Sequence, residues 1–268
     1  MNNITLGQYF PGNSPLHRMD PRAKISLVVA LIAAIFVAQG FVAYALYLAF
    51  ILLCVKVSQV DLKMVLRGLK PIYFIVVFTF VLNLFFQREG TPIVEVGVLR
   101  ITLEGLRRAV LMAFRLMLLV MGSQLLTLTT SPIALTDGLE RLMKPLEKFR
   151  FPAHELAMIM SIALRFIPTL MEETDKIMKA QKARGADFES GNVLQRAKAM
   201  IPLLVPLFVS AFRRADELAM AMEARCYRGG SGRTRMHMLR YTRLDLYALL
   251  AVIGLYAVII ICNVLHFF

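Results

Sequence analysis

Residues 25–55 read ISLVVALIAAIFVAQGFVAYALYLAFILLCV, a stretch without one charged side chain. A membrane-crossing helix needs about 20 apolar residues, so this run is too long for a single ordinary span. Gln39-Gly40 falls in its middle. The reading is therefore two short helices, over roughly 23–38 and 41–57, joined by a tight turn. Asp20-Pro21 supplies the start of the first, because aspartate caps a helix and proline suits its first position. Outward from this pair come three more apolar runs. Ile72 to Phe86 is interrupted only by Thr79 and Asn83; Gly105 to Thr130 carries Arg107, Arg108 and Arg115 in its first half; Leu246 to Phe268 closes the chain. The expectation is an all-α membrane protein with about five transmembrane helices.

The totals agree with that class. The chain has 268 residues, is 58% hydrophobic and carries 31 basic against 18 acidic side chains, a net charge of +13. Such an excess points to nucleic acid or to an anionic membrane surface, and the apolar runs decide for the membrane. Cys54, Cys226 and Cys262 form no CxxC, zinc set or disulfide framework. Residues 1–24 contain Pro11, Pro15 and Pro21 and no apolar centre, so they do not read as a signal peptide.

Loop charge sets an orientation. Arg18, Arg22 and Lys24 precede the first span, and Lys56, Lys63, Arg67 and Lys70 follow the second. The 87–104 segment is close to neutral, with Arg88 and Arg100 against Glu89, Glu95 and Glu104. The positive-inside rule then puts the N-terminus in the cytoplasm and the C-terminus outside. The resulting division is a cytoplasmic segment over 1–24, four spans over 25–130, a cytoplasmic block over 131–243 and a fifth span over 244–268.

The 131–243 block holds 19 basic and 12 acidic residues and reads as helical. Ser131-Pro132, Phe151-Pro152 and Ser190-Gly191-Asn192 are helix starts. Leu156, Met160, Ala163, Ile167, Leu170, Thr174 and Ile177 recur at helical spacing, so a helix over about 153–184 is expected. Its second half, with Glu172, Glu173, Asp175, Lys176, Lys179 and Lys182, is too charged to cross a bilayer. Ala199 to Phe212 is uncharged but only 14 residues long, and Pro202 and Pro206 suggest a kink in a surface or buried helix. Ten of the 16 methionines fall in this block, either as adaptable contact surface or as filling for a helical core. Each of the two long helices closes on an arginine, in Ala183-Arg184-Gly185 and in Ala224-Arg225-Cys226. A cation in the last turn of a helix fits the helix dipole, so these arginines could cap helices, meet lipid headgroups or hold an acidic partner.

Several motifs together resemble the transmembrane T component of energy-coupling factor (ECF) transporters, modular ABC importers of vitamins and metal ions. They are Ser14-Pro15-Leu16-His17-Arg18-Met19-Asp20-Pro21-Arg22, Thr130-Ser131-Pro132, Asp137-Gly138-Leu139-Glu140, Leu164-Arg165-Phe166-Ile167-Pro168, Ala180-Gln181-Lys182-Ala183-Arg184-Gly185 and Glu223-Ala224-Arg225. The resemblance covers nearly the whole chain. It implies that the two Ala-Arg-Gly motifs end coupling helices docked on two ATP-binding subunits, and that a separate substrate-binding S component captures the substrate. Cys226 stands where the second motif usually has glycine, which puts that cap's geometry in doubt.

The other classes fare worse. An independent transporter or channel, with basic helices that bind lipid or another protein, lacks intramembrane carboxylates for a proton relay. His17, His154, His237 and His266 are scattered, with no HExxH; there is no GxxxxGK[ST] phosphate loop, so the chain is not expected to be an enzyme. No cofactor, metal site or nucleic-acid partner is implied. The expected role is a scaffold in the bacterial cell membrane that passes on the work of separate ATPases.

Overall fold

The computed structural model describes residues 9–86, 92–96, 99–188, 190, 192–229 and 238–264. Arg88, Glu89, Gly191, Met236, His237 and His266, each used in the reading above, lie outside the described residues. The chain divides into two compact units, residues 1–142 with 237–268, and residues 143–236.

The first unit begins with α1 (Pro15–Arg18) and α2 (Pro21–Val37), then α3 (Gly40–Ser58) and α4 (Leu62–Arg67). A 3-10 turn over Lys70–Ile72 leads into α5 (Tyr73–Phe86). Strands β1 (Pro92–Val96) and β2 (Leu99–Thr102) follow, then α6 (Leu103–Thr129), α7 (Pro132–Met143) and, after the second unit, α10 (Arg243–Val264). The break between α2 and α3 falls at Ala38-Gln39, and Gly40 takes the left-handed φ of 79° that opens α3. A side chain rarely adopts that conformation, which is why glycine stands there. The near-neutral 87–104 segment is not simply a loop. β1 and β2 pair antiparallel, with Val94 opposite Ile101 and Val96 opposite Leu99, in a stretch rich in β-branched residues.

Hydrogen bonds fix the direction of three helices in this unit. Asp20 N–H donates to Asp245 Oδ1 (2.9 Å), Tyr256 O–H to Ala30 O (2.7 Å), and Asn263 Nδ2 to Val37 O (2.8 Å). The sequence offset between partners hardly changes along the series, so α10 runs parallel to α2. Lys24, near the start of α2, donates to Thr129 O (2.9 Å), at the end of α6. Arg115, in the first half of α6, bonds to Tyr44, near the start of α3. The α6 helix therefore runs opposite to α2. Ile35, Tyr47, Ile51, Leu118 and Ile259 are buried between these four helices, and Tyr47 O–H donates to Leu31 O (3.2 Å).

One end of this unit is tied by a buried polar knot, which gives the N-terminal motif a physical reason. Asp20 caps α2: its Oδ1 accepts from Arg22 N–H (2.9 Å), and its Oδ2 accepts from Arg22 Nη2 (2.8 Å). Burial alone would raise the Asp20 pKa, but hydrogen bonds from Arg22 and the charges of Arg22 and Lys24 outweigh it and hold the carboxyl below its ordinary value. Lys24 Nζ bonds His17 O (3.2 Å), Thr129 O and Thr130 Oγ1 (3.2 Å). The carboxylate of Asp245 accepts from Asp20 N–H, Thr242 N–H (2.6 Å) and Thr242 Oγ1 (2.9 Å). His17 shares hydrogen bonds with Ser14 Oγ (2.7 Å) and Phe10 O (3.0 Å). Burying a charge is costly unless it is compensated: Asp20 is paired with Arg22, and Lys24 and Asp245 are each held by three hydrogen bonds. Gly138 of α7 belongs to the same region: a Cβ there would lie 3.0 Å from Pro21 Cβ and 3.2 Å from its backbone carbon.

The second unit is a helical pair, α8 (Ala153–Ala183) and α9 (Val193–Ala224), preceded by a 3-10 turn over Lys144–Phe149. Both helices run unbroken through Pro168, or through Pro202 and Pro206. Among the described residues, six helical stretches are long and apolar enough to cross a membrane: α3, Leu62–Phe86, α6, α8, Leu194–Ala224 of α9, and α10. With 17 residues, α2 is slightly shorter than these. Both α8 and α9 qualify on their most apolar windows, although the second half of each is charged.

Candidate functional site at two helix ends

The register of α8 against α9 follows from four side-chain contacts. Tyr227 O–H donates to Met158 Sδ (3.0 Å), Ser210 Oγ and Arg214 Nη2 donate to the Glu173 carboxylate (2.7 and 2.9 Å), and Gln181 Nε2 donates to Pro202 O (3.4 Å). As one partner climbs, the other falls by a similar number, so the helices are antiparallel. The last contact also has a local cause. Pro206 has no N–H to give to the carbonyl four residues back, and Gln181 supplies a donor to that carbonyl from the facing helix. Ile162, Phe166 and Leu170 of α8 line a groove of about 290 Å³ with Ala211, Ala215 and Leu218 of α9. The apolar series read from Leu156 to Ile177 therefore divides. Leu170 turns into the groove, whereas Leu156, Met160 and Ile167 stay exposed.

Both helices end in the same way. Gly185 N–H donates to Lys182 O (3.0 Å) and Ala186 N–H to Gln181 O (3.0 Å), with Gly185 at φ 88°. Cys226 N–H donates to Glu223 O (2.8 Å) and Tyr227 N–H to Met222 O (3.0 Å), with Cys226 at φ 54°. Each is a Schellman cap, in which a left-handed residue just past the helix lets two N–H groups reach back to the last free carbonyls. The doubt that the sequence raised about the second end is thus answered. Cys226 keeps the geometry that Gly185 has, at the cost of holding a side chain in the left-handed region.

In both caps the arginine is the residue between the last helical position and the left-handed one. Arg184 follows Ala183, and Arg225 follows Ala224. Arg184, Arg225 and Cys226 are exposed, and neither guanidinium has a partner among the described residues. The antiparallel register carries the two arginines to opposite ends of the pair. Arg184 lies level with about residue 201 of α9, and Arg225 lies some 24 residues further on, or about 36 Å at 1.5 Å per residue. Sequence reading did not foresee this separation. The constant register that produces it depends on contacts such as Met158–Tyr227, which helical periodicity does not predict.

Residues 12–238 match the family described as CbiQ, cobalt transport protein. A Thermosediminibacter oceani protein named energy-coupling factor transporter transmembrane protein EcfT is 60% identical over 258 residues, 96% of this chain and 97% of its own. Proteins of the same name from Ruminiclostridium cellulolyticum and Bacillus subtilis are 57% identical over 245 residues and 48% identical over 259. The first match covers 91% of both chains, and the second covers 97% of this chain and 98% of the relative. Given matches that run almost from end to end, the chain belongs to the CbiQ family, among the transmembrane components of energy-coupling factor transporters.

Proposed function

We propose that this chain is the scaffold and transducer of an ECF-type importer of a vitamin or metal ion, and that it has no chemistry of its own. Arg184 and Arg225, with Ala183, Gly185, Ala224 and Cys226 around them, anchor two ATP-binding subunits beneath the membrane. The observation that carries this reading is the pair of exposed arginines, held in matching caps at opposite ends of one helical pair. A guanidinium stays charged at any physiological pH and can grip a carboxylate with two parallel bonds. Two such anchors about 36 Å apart suit two ATPases better than one. Loop charge supports a cytoplasmic N-terminus and a cytoplasmic coupling pair.

A separate S component in the membrane would bind the substrate and seat on the apolar side chains that α9 leaves exposed. Ile201, Val205, Phe208, Val209 and Phe212 are each more than half exposed. Closure of the ATPases would displace the helix ends, and the pair would pass that movement to the S component. The test is recovery of co-expressed ECF ATPases with the solubilised chain, beside Arg184→Glu, Arg225→Glu and the double variant. Removing one partner of a desolvated charge pair costs about 2–5 kcal/mol, so each single variant should lose much of the recovery and the double variant nearly all. Equal recovery from all four would reduce the arginines to caps or lipid contacts.

A further inference from the structure

At the end of the first unit that holds the α2–α3 turn, a cavity of about 630 Å³ opens between that turn and the first half of α6. Arg107, Arg108 and Arg115 line it, with Glu104 as the one carboxylate among the described residues of its lining. The three arginines share one side of α6, since Arg115 lies about two helical turns beyond the adjacent Arg107 and Arg108. Their level is set by Tyr44, whose hydroxyl accepts from Arg115 Nε at 2.8 Å only four residues into α3. Aromatic faces orient two of the guanidiniums. Arg115 lies 5.7 Å from the Phe36 ring centre, and Arg107 lies 5.9 Å from that of Phe41. Arg115 Nη1 reaches Met112 Sδ at 3.8 Å, a weak acceptor, and no carboxylate among the described residues pairs with Arg115.

Among the described residues of this lining three arginines meet one carboxylate, and Arg115 has no carboxylate beside it, which favours an anion. The surroundings say which kind. Phe36 is 60% exposed and Phe41 45% exposed, each beside an arginine that lines the cavity, in a unit with several helices apolar enough to cross a membrane. A ligand there would place charge in the cavity and hydrocarbon along its rim. We infer that this cavity binds the phosphate group of an anionic phospholipid, with Arg107, Arg108 and Arg115 as its ligands. Guanidinium and phosphate oxygens match in geometry as well as charge. Arg115 is positioned rather than merely tolerated: Tyr44 and Phe36 hold it level with the headgroup.

Native mass spectrometry of the full chain in neutral detergent tests this, with phosphatidylglycerol, phosphatidylcholine of the same acyl chains, and inorganic phosphate as separate probes. Phosphatidylglycerol should bind at least about tenfold more tightly than phosphatidylcholine, whose choline cation faces the same arginines. Arg108→Gln, on an exposed side chain, and Arg115→Gln should each weaken phosphatidylglycerol by roughly fivefold and leave phosphatidylcholine unchanged. Inorganic phosphate binding that falls in the same variants, without lipid binding, would keep the phosphate site but make the free ion its ligand. Equal binding of the two lipids, or phosphatidylglycerol binding that survives both substitutions in folded protein, would overturn the inference.

Discussion

Two matching caps that differ in one residue allow a reciprocal substitution. Gly185 sits at φ 88° with no atom within 4 Å of where a Cβ would stand, so Gly185→Ala changes only the backbone preference. Holding an L side chain in the left-handed region costs about 1–2 kcal/mol. Restricting the unfolded chain returns roughly 0.4–1 of that, leaving a net cost of about 1 kcal/mol. Cys226 already bears this cost at φ 54°, and because it is exposed it has little packing to lose. Cys226→Gly should therefore stabilise its cap by about 1 kcal/mol, the opposite sign at the opposite end of the pair. One kilocalorie is about a fivefold change in a local opening equilibrium. The assay is amide hydrogen exchange, read at Gly185 and Ala186 and at Cys226 and Tyr227 after correction for intrinsic rates. Exchange should speed about fivefold in Gly185→Ala and slow about fivefold in Cys226→Gly, each change confined to its own cap. Faster exchange in Cys226→Gly, or no change in either variant, would mean that something other than the left-handed residue holds these ends, and the reasoning would fail.

Three further outcomes follow from the first unit. Gly138→Ala should destabilise the solubilised protein by about 1–3 kcal/mol, read as a lower unfolding temperature, because its Cβ meets the ring and backbone of Pro21, which cannot give way as the neighbouring Ile25 Cδ1 can. Asp245→Ala should cost about 2–4 kcal/mol in denaturant unfolding, since it leaves the N–H groups of Asp20 and Thr242 without their acceptor; Asp245→Glu should not restore the loss in full, given the short bonds on both sides. Asp20 contributes stability that is complete above its unfolded pKa of 3.8 and is lost as pH falls through its lower folded value. The deficit of Asp20→Asn against the native chain should thus be constant from pH 5 to 7 and shrink below about pH 4, and a deficit that grows in acid would reverse the sign argued here.

How much of this was legible depended on whether the signal was local. The charge-free run from Ile25 to Val55 had to break, and Gln39-Gly40 marked the break within a residue or two of where α2 ends and α3 begins. The Asp20-Pro21 start and the long helix from Ala153 were legible for the same reason: caps and periodicity act within a few turns. Arg115 could not be placed from the sequence because depth is not local. Counted along α6 it lies deep in an apolar run, yet its partner Tyr44 lies one turn from the α2–α3 bend. The mismatch arises because α2 and α3 have 17 and 19 residues while α6 has 27, so α6 extends well beyond the bend. The short β1–β2 hairpin was missed because the 87–104 segment was weighed for its charge and not for its β-branched residues Ile93, Val94, Val96 and Ile101. The N-terminal motif could be matched to a family before structure, but its reason, a knot joining Asp20, Lys24 and Asp245, spans more than 200 positions of sequence and needed the fold.

The same distinction bears on how the two arginines are to be understood. Read along the chain, Arg184 and Arg225 are 41 positions apart and look like a repeat that could serve one partner twice. Read through the contacts of α8 with α9, they are the two ends of one rigid object. A lever needs its points of application separated and its body stiff. Separation comes from the antiparallel register, which sets the two caps about 36 Å apart along the pair. Stiffness comes from contacts spread along that span: Tyr227 on Met158 at one end, the Glu173 carboxylate shared by Ser210 and Arg214 in the middle, and Gln181 on the carbonyl left free by Pro206 at the other. Had the helices been parallel, both arginines would lie at one end, and a movement of either ATPase would push the same point. On the docking role proposed for them, the antiparallel arrangement would let each arginine report on its own subunit, so that a movement of one end relative to the other would tilt the pair.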